Sequence, residues 1–148
     1  MSLQALDILA IQNLVYRYTW HIDHGDFSSM AAMFDRAVVI LDPAGEFVRD
    51  AKGIEAIYRQ YVRIHDDGTP STRHVTTNLI IDPEGDDAAS SSSSVVVFQQ
   101  TDALKLQPII VTRNLDRFAR TDGEWHFSER RIEMNFLGDL SAHMLQPI

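Results

Sequence analysis

Tyr16-Arg-Tyr-Thr-Trp-His-Ile-Asp-His-Gly-Asp26 ends one amphipathic helix and opens the next. Ile8, Ile11, Val15, Tyr18 and Ile22 recur at three- and four-residue steps, with Leu14 beside them. That spacing predicts one apolar stripe on a helix of about five turns. Tyr16, Trp20 and Asp23 follow the same steps on another face, so the helix is expected to be wrapped by the rest of the domain. Gly25 suits a left-handed helix end. Asp26 is a natural N-cap for a second, short helix whose buried face is Phe27, Met30, Ala31 and Phe34. Asp23 stands out, because the helix dipole disfavours a carboxylate at a C-terminal end. Its position there needs another reason.

Downstream, residues 37–41 are apolar and β-branched and read as a strand. Asp42-Pro-Ala-Gly45 turns it into a short strand around Phe47 and Val48. Ile54, Ile57, Tyr58, Tyr61 and His65 mark a third helix, ended by Asp66-Asp-Gly-Thr-Pro70. From Thr72 the period becomes two, which predicts strands over residues 72–82, 88–101, 107–121 and 124–136. Pro83-Glu-Gly-Asp86 is one turn, and Asp122-Gly123 has the composition of a hairpin.

The serine run at residues 90–94 leads straight into Val95-Val-Val-Phe98 and therefore reads as strand. Small hydroxyl side chains facing inward would leave room for a ligand. The tail from Gly138 is weakly patterned, but Leu140, Met144 and Leu145 suit docking on the sheet or on a neighbouring subunit. Neither a repeat nor a linker interrupts the chain, so residues 1–148 form a single domain in this reading. Three helices followed by a meander of long strands is an α+β pattern. A curved antiparallel sheet around the long N-terminal helix would enclose a hollow suited to a small molecule.

Composition narrows the function. A formal net charge of −8 disfavours nucleic acid and anionic membrane surfaces, since no basic patch can neutralise phosphates. Without cysteine there is no disulfide, thiolate metal site or Cys nucleophile. Neither a signal peptide nor an apolar run of about 20 residues is evident, so a cytoplasmic protein is the expectation.

Two residues carry the chemical reading. Asp23 at the mouth of an apolar cavity would have a raised pKa and could carry a proton. His74 lies on the first long strand, with Thr76, Asn78 and Ile80 on its face and Arg73, Val75, Thr77, Leu79 and Ile81 opposite. Periodicity alone leaves open which face lines the hollow. A hydrogen bond from Asp23 would fix the His74 tautomer and make the ring a better base. Tyr18 and Tyr58 are the phenols best suited to donate to a substrate oxygen. Asn78, Phe98 and Trp20 are further candidate substrate contacts. His21, Asp23, His24 and Asp26 superficially suggest a metal site, but Gly25 breaks the geometry and no further ligand set is evident. Metal ligands are therefore not expected.

The chain resembles the SnoaL-like group of the nuclear transport factor 2-like superfamily, nearest its scytalone dehydratase and bile-acid dehydratase branch. The resemblance rests on the Tyr16-to-Asp26 stretch, the Arg73-His74 strand and Asp122-Gly-Glu-Trp-His-Phe-Ser-Glu-Arg130, in that order. It implies a cystatin-like cone of curved sheet closed by helices around a deep pocket. It also implies an aspartate–histidine pair, matched by Asp23 and His74, acting without cofactor on a proton beside a carbonyl and on a departing hydroxyl. Tyr18 fits the bile-acid type. Ile22 stands where the dehydratases have a tyrosine, and Asp42 stands where they have a second. The fourth-strand acid or base is replaced near Phe98 or Gln99. The same cone serves as the non-catalytic small subunit of ring-hydroxylating dioxygenases, so fold alone does not choose a reaction. The resemblance further implies a homo-oligomer, dimer or trimer, with a small hydrophobic molecule as ligand.

Overall fold

The computed structural model describes residues 3–42, 46–48 and 50–147. The elements in order are α1 (Ala5–Asp23), α2 (Phe27–Ala32), β1 (Val38–Asp42), β2 (Glu46–Val48), α3 (Ala51–Tyr61), β3 (Thr72–Pro83), β4 (Ala88–Gln99), β5 (Gln107–Thr121) and β6 (Glu124–Leu137). The turn expected between β1 and β2 lies at residues 43–45, outside the described residues.

Helix α1 begins where the Gln4 N–H donates to Asp7 Oδ2 at 2.9 Å. Asp7 Oδ1 also accepts from Arg120 Nη1 at 2.8 Å and Trp125 Nε1 at 2.9 Å, which ties the helix start to the β5–β6 hairpin. Ile11, Val15, Tyr18 and Ile22 are buried as the stripe requires. Ile8, the first residue expected in that stripe, is 43% exposed, and the second face is not wrapped either: Tyr16 is 40% exposed and Trp20 62%. Gly25, at φ +72, turns the chain against Gly68, whose carbonyl oxygen any Cβ there would strike. Asp26 caps α2 by accepting from the Ser29 N–H at 3.0 Å.

Helix α3 is capped by Asp50, which accepts from the Gly53 N–H at 2.7 Å. It stops at Tyr61, short of the expected His65. The β-branched Val62 turns extended, at φ −93 and ψ 125, and bridges to Met144 of the C-terminal tail. That tail contact ends the helix.

The six strands form one sheet in the order β2-β1-β6-β5-β4-β3. All pairs are antiparallel except β1 with β6, which run parallel. No hairpin joins those two strands, so no turn imposes an antiparallel pairing. The fold is α+β, with the curved sheet wrapped on α1 and closed by two shorter helices. Phe118, Phe127 and Trp125 from the sheet meet Phe34 of the segment after α2 and the α1 stripe in the main core. The rings of Phe34 and Phe127 stack at 4.8 Å, and those of Phe118 and Phe127 lie 5.0 Å apart. Each such buried side chain contributes about 1.5–3 kcal/mol.

The inner face of the sheet is polar in its middle. Ser91, Ser93, Thr112, Asn114, Asp116 and Arg130 are all buried there. Ser91 pairs with Asp116, and Ser93 with Asn114. The alternate serines of the run, 90, 92 and 94, are only partly buried on the other face. Among the described residues, no helix is long and apolar enough to cross a membrane.

Candidate functional site

The last residue of α1 and the third residue of β3 meet. Asp23 Oδ1 lies 2.5 Å from His74 Nδ1 and accepts from the Thr72 hydroxyl at 2.9 Å. Asp23 Oδ2 accepts from the His74 backbone N–H at 2.8 Å. The side chains of His74 and Asp23 are 12% and 10% exposed. These donors explain how a carboxylate is held at a helix C-terminus. They also overturn the expectation of a raised Asp23 pKa. Burial pushes the pKa upward, but the His74 ring, its charge, its backbone N–H and the Thr72 hydroxyl together outweigh burial. The carboxyl therefore sits below its usual range, so Asp23 is a fixed anion and no proton carrier. With Nδ1 engaged, Nε2 is the ring nitrogen left to take a proton.

Tyr18 also points inward from α1, and its hydroxyl makes a short hydrogen bond with that of Tyr58 from α3. Burial raises both phenol pKa values, more strongly for Tyr58. Both hydroxyls therefore stay protonated, as hydrogen-bond donors. Behind them, Arg130 Nε and Nη2 donate to Asp116 at 2.7 and 2.8 Å. The guanidinium lies 4.2 Å from the Tyr18 ring centre and 4.8 Å from that of Phe127. A void of about 20 Å³ lies between Tyr18, Tyr58, Arg130 and the apolar side chains of β1 and α3. It has room for roughly one water molecule.

The expected deep greasy hollow is thus small. The larger space is an open cleft of about 470 Å³ at the C-terminal end of α1. Asp23, Trp20, Thr72, Arg73, Phe98 and Gln99 stand on its wall. Trp20 stacks on the His24 ring at 4.4 Å, at the rim of the site and away from the interior.

The first long strand explains one misplaced candidate. Thr72, His74 and Thr76 face inward, and then a bulge between Thr77 and Ile80 shifts the register. Asn78 at the bulge has φ 54 and is exposed. Beyond it Leu79 and Ile81 join the core, while Ile80 is 57% exposed. The face His74–Thr76–Asn78–Ile80 is therefore broken, and Asn78 does not reach the interior. Phe98 lies on the opposite face of β4 from Val97 and Gln99, so it contributes only to the cleft. Asp42 faces away and pairs with Arg131 Nη1 at 2.6 Å. Gln99 is buried and donates to the Pro70 carbonyl at 3.0 Å and the Ala142 carbonyl at 3.2 Å.

The suspected metal residues are otherwise engaged. His24 Nδ1 bonds the Trp20 carbonyl at 2.7 Å, Asp26 caps α2, and His21 is 3.9 Å from Asp26. Among the described residues, no three His, Asp or Glu side chains converge as metal ligands.

Sequence reasoning missed His143, for which no pattern offered a use. It is 5% exposed in the docked tail, and its Nδ1 has no hydrogen-bond partner. Burial, with the charges of His74 and His65 nearby, pushes its pKa down to about 4. The only sequence signal was the apolar Leu140, Met144 and Leu145 around it.

The geometry has relatives. A protein of unknown function from Mycobacterium tuberculosis is 27% identical over 89% of this chain and 73% of its own, with a TM-score of 0.72. A protein of unknown function with a cystatin-like fold from Nostoc punctiforme is 24% identical over 91% and 96%, at 0.74. A candidate scytalone dehydratase from Novosphingobium aromaticivorans is 19% identical over 90% and 87%, at 0.72. No curated protein matches the sequence. Residues 4–131 match the SnoaL-like domain, which spans both Asp23 and His74, and the chain belongs to that family.

Proposed function

We propose that this chain is a cofactor-independent lyase or isomerase acting on a small, hydrophobic, cyclic oxygenated compound. The observation that carries the reading is the Asp23–His74 pair, set at 2.5 Å with every Asp23 oxygen occupied by a donor. His74 Nε2 takes a proton from a carbon beside the substrate carbonyl. The Asp23 anion stabilises the imidazolium that forms. The imidazolium then gives the proton to the departing hydroxyl in an elimination, or to another carbon in an isomerisation. A phenol of the Tyr18–Tyr58 pair donates to the carbonyl oxygen as negative charge gathers there.

The test is a panel of cyclic β-hydroxyketones, including steroid-like ones, followed by the absorbance of the conjugated product. Loss of about two to four orders of magnitude in kcat/KM is expected for His74→Ala and for Asp23→Asn. Unchanged turnover in both variants refutes the acid–base assignment.

A second reading is supported by the water-sized void beside Tyr18 and Tyr58. In it the chain is a non-catalytic ligand-binding or structural subunit, such as the small subunit of a ring-hydroxylating oxygenase. That reading calls for a tight partner or a pocket filled by side chains, and no substrate of the panel would turn over.

A further inference from the structure

The C-terminal tail, residues 138–147, carries a second imidazole, that of His143, to the end of the sheet that bears the dyad. Its backbone is fixed at several points. The Arg63 N–H donates to the His143 carbonyl at 2.8 Å, and the Leu145 N–H donates to the Tyr61 carbonyl at 2.8 Å. The Ala142 carbonyl accepts from His65 Nε2 at 2.9 Å and from Gln99 Nε2 at 3.2 Å. Gln99 pairs with Thr72, whose hydroxyl holds Asp23, and Val97 pairs with His74 on the same inner face. The residue after Ala142 therefore sits over the end of the sheet that bears the dyad. It is buried there with one ring nitrogen unpartnered. A buried polar atom without a partner costs about 1–3 kcal/mol, so a native chain keeps one only where it has a use.

We propose that His143 is a substrate-binding residue, whose free Nδ1 hydrogen-bonds an oxygen of the compound held against His74. The inference rests on the His74 reading above and adds a contact from the tail. A neutral ring suits this role, because it can bond a substrate oxygen without competing with His74 for the proton.

The experiment uses the full chain with isotope-labelled histidine, titrated with β-naphthol, a bicyclic aromatic alcohol of the proposed class. Ring-nitrogen signals are followed by NMR. Saturation should move the signals of both His74 and His143. The dissociation constant should rise about tenfold in His143→Phe, the loss of one hydrogen bond. It should rise far less in His143→Gln, which keeps a hydrogen-bonding side chain. Should His143→Phe not fold, the wild-type ring signals and the Gln variant still decide. If His74 responds while His143 does not, this inference falls and the His74 reading stands. If the probe binds and neither ring responds, both fall.

Discussion

Arg130 is the largest side chain fully withdrawn from water, and its partner Asp116 is as deeply buried. Burial alone would lower the arginine pKa, but the Asp116 charge and hydrogen bonds hold it above its ordinary value. The arginine therefore stays charged. Breaking such a pair leaves one uncompensated charge in the core, at a cost of about 3–5 kcal/mol. Asp116→Leu should therefore lower the unfolding free energy measured in urea by that amount, and adding Arg130→Met should restore most of it. Equal loss in the single and double variants would show that the pair itself contributes the stability. None of this was legible beforehand. Alternation puts Asp116 on the face of Phe118, but it puts Arg130, three residues from Phe127, on the other face; the irregularity between Arg117 and Phe118 is what brings Arg130 inside to meet Asp116. Asp23 was legible as an anomaly, a carboxylate at the wrong end of a helix. The direction of its pKa shift was misread, because the backbone N–H and hydroxyl that settle it come from β3, about 50 residues away.

At the level of elements, helices and strands were read from periodicity, and the failures lie where a long-range contact overrides it. The bulge at Asn78 interrupts a strict two-residue alternation, and asparagine tolerates the left-handed conformation it needs. Helix α3 ends early because the tail captures Val62. That tail has a pH dependence of its own. His143 is faced by His74 from β3, with Asp23 of α1 behind it, and by His65 from the loop after α3. Arg63 donates from its backbone N–H to the His143 carbonyl and, at 3.3 Å, from its guanidinium to the Met144 carbonyl. The folded pKa of His143, about 4, lies below its ordinary 6.5. Between those values the unfolded chain holds a proton that the folded chain lacks. Stability is thus full above pH 6.5 and falls as pH drops toward 4, by at most about 3 kcal/mol. Asp23, with its lowered pKa, adds a separate loss only below its ordinary 3.8. Urea midpoints measured from pH 7 to pH 4 should fall in the wild type and stay nearly flat in His143→Gln. A wild-type curve that is flat over that interval would mean the tail opens without cost.

Across the whole molecule, the core is divided between an apolar half and a polar middle, and the serine run writes that division into β4. Its small side chains were readable as inward-facing space, and Ser91 and Ser93 do face inward, but their hydroxyls lie buried with no partner, as does that of Thr76. Each unpartnered hydroxyl costs about 1–3 kcal/mol, so the fold is less stable than an alanine-lined version of itself would be. Proteins keep such costs at places where another molecule satisfies the group. Ser91→Ala with Ser93→Ala should therefore raise the melting temperature by several degrees, since about 1 kcal/mol shifts a domain of this size by roughly 2–8 °C. The same double variant should bind oxygenated ring compounds more weakly, while the Asp23–His74 hydrogen bond is untouched. Calorimetry beside a β-naphthol titration measures both quantities on one sample. A fall in melting temperature would mean that the two hydroxyls already have partners within the fold, and that the polar middle of the sheet serves structure and not a ligand.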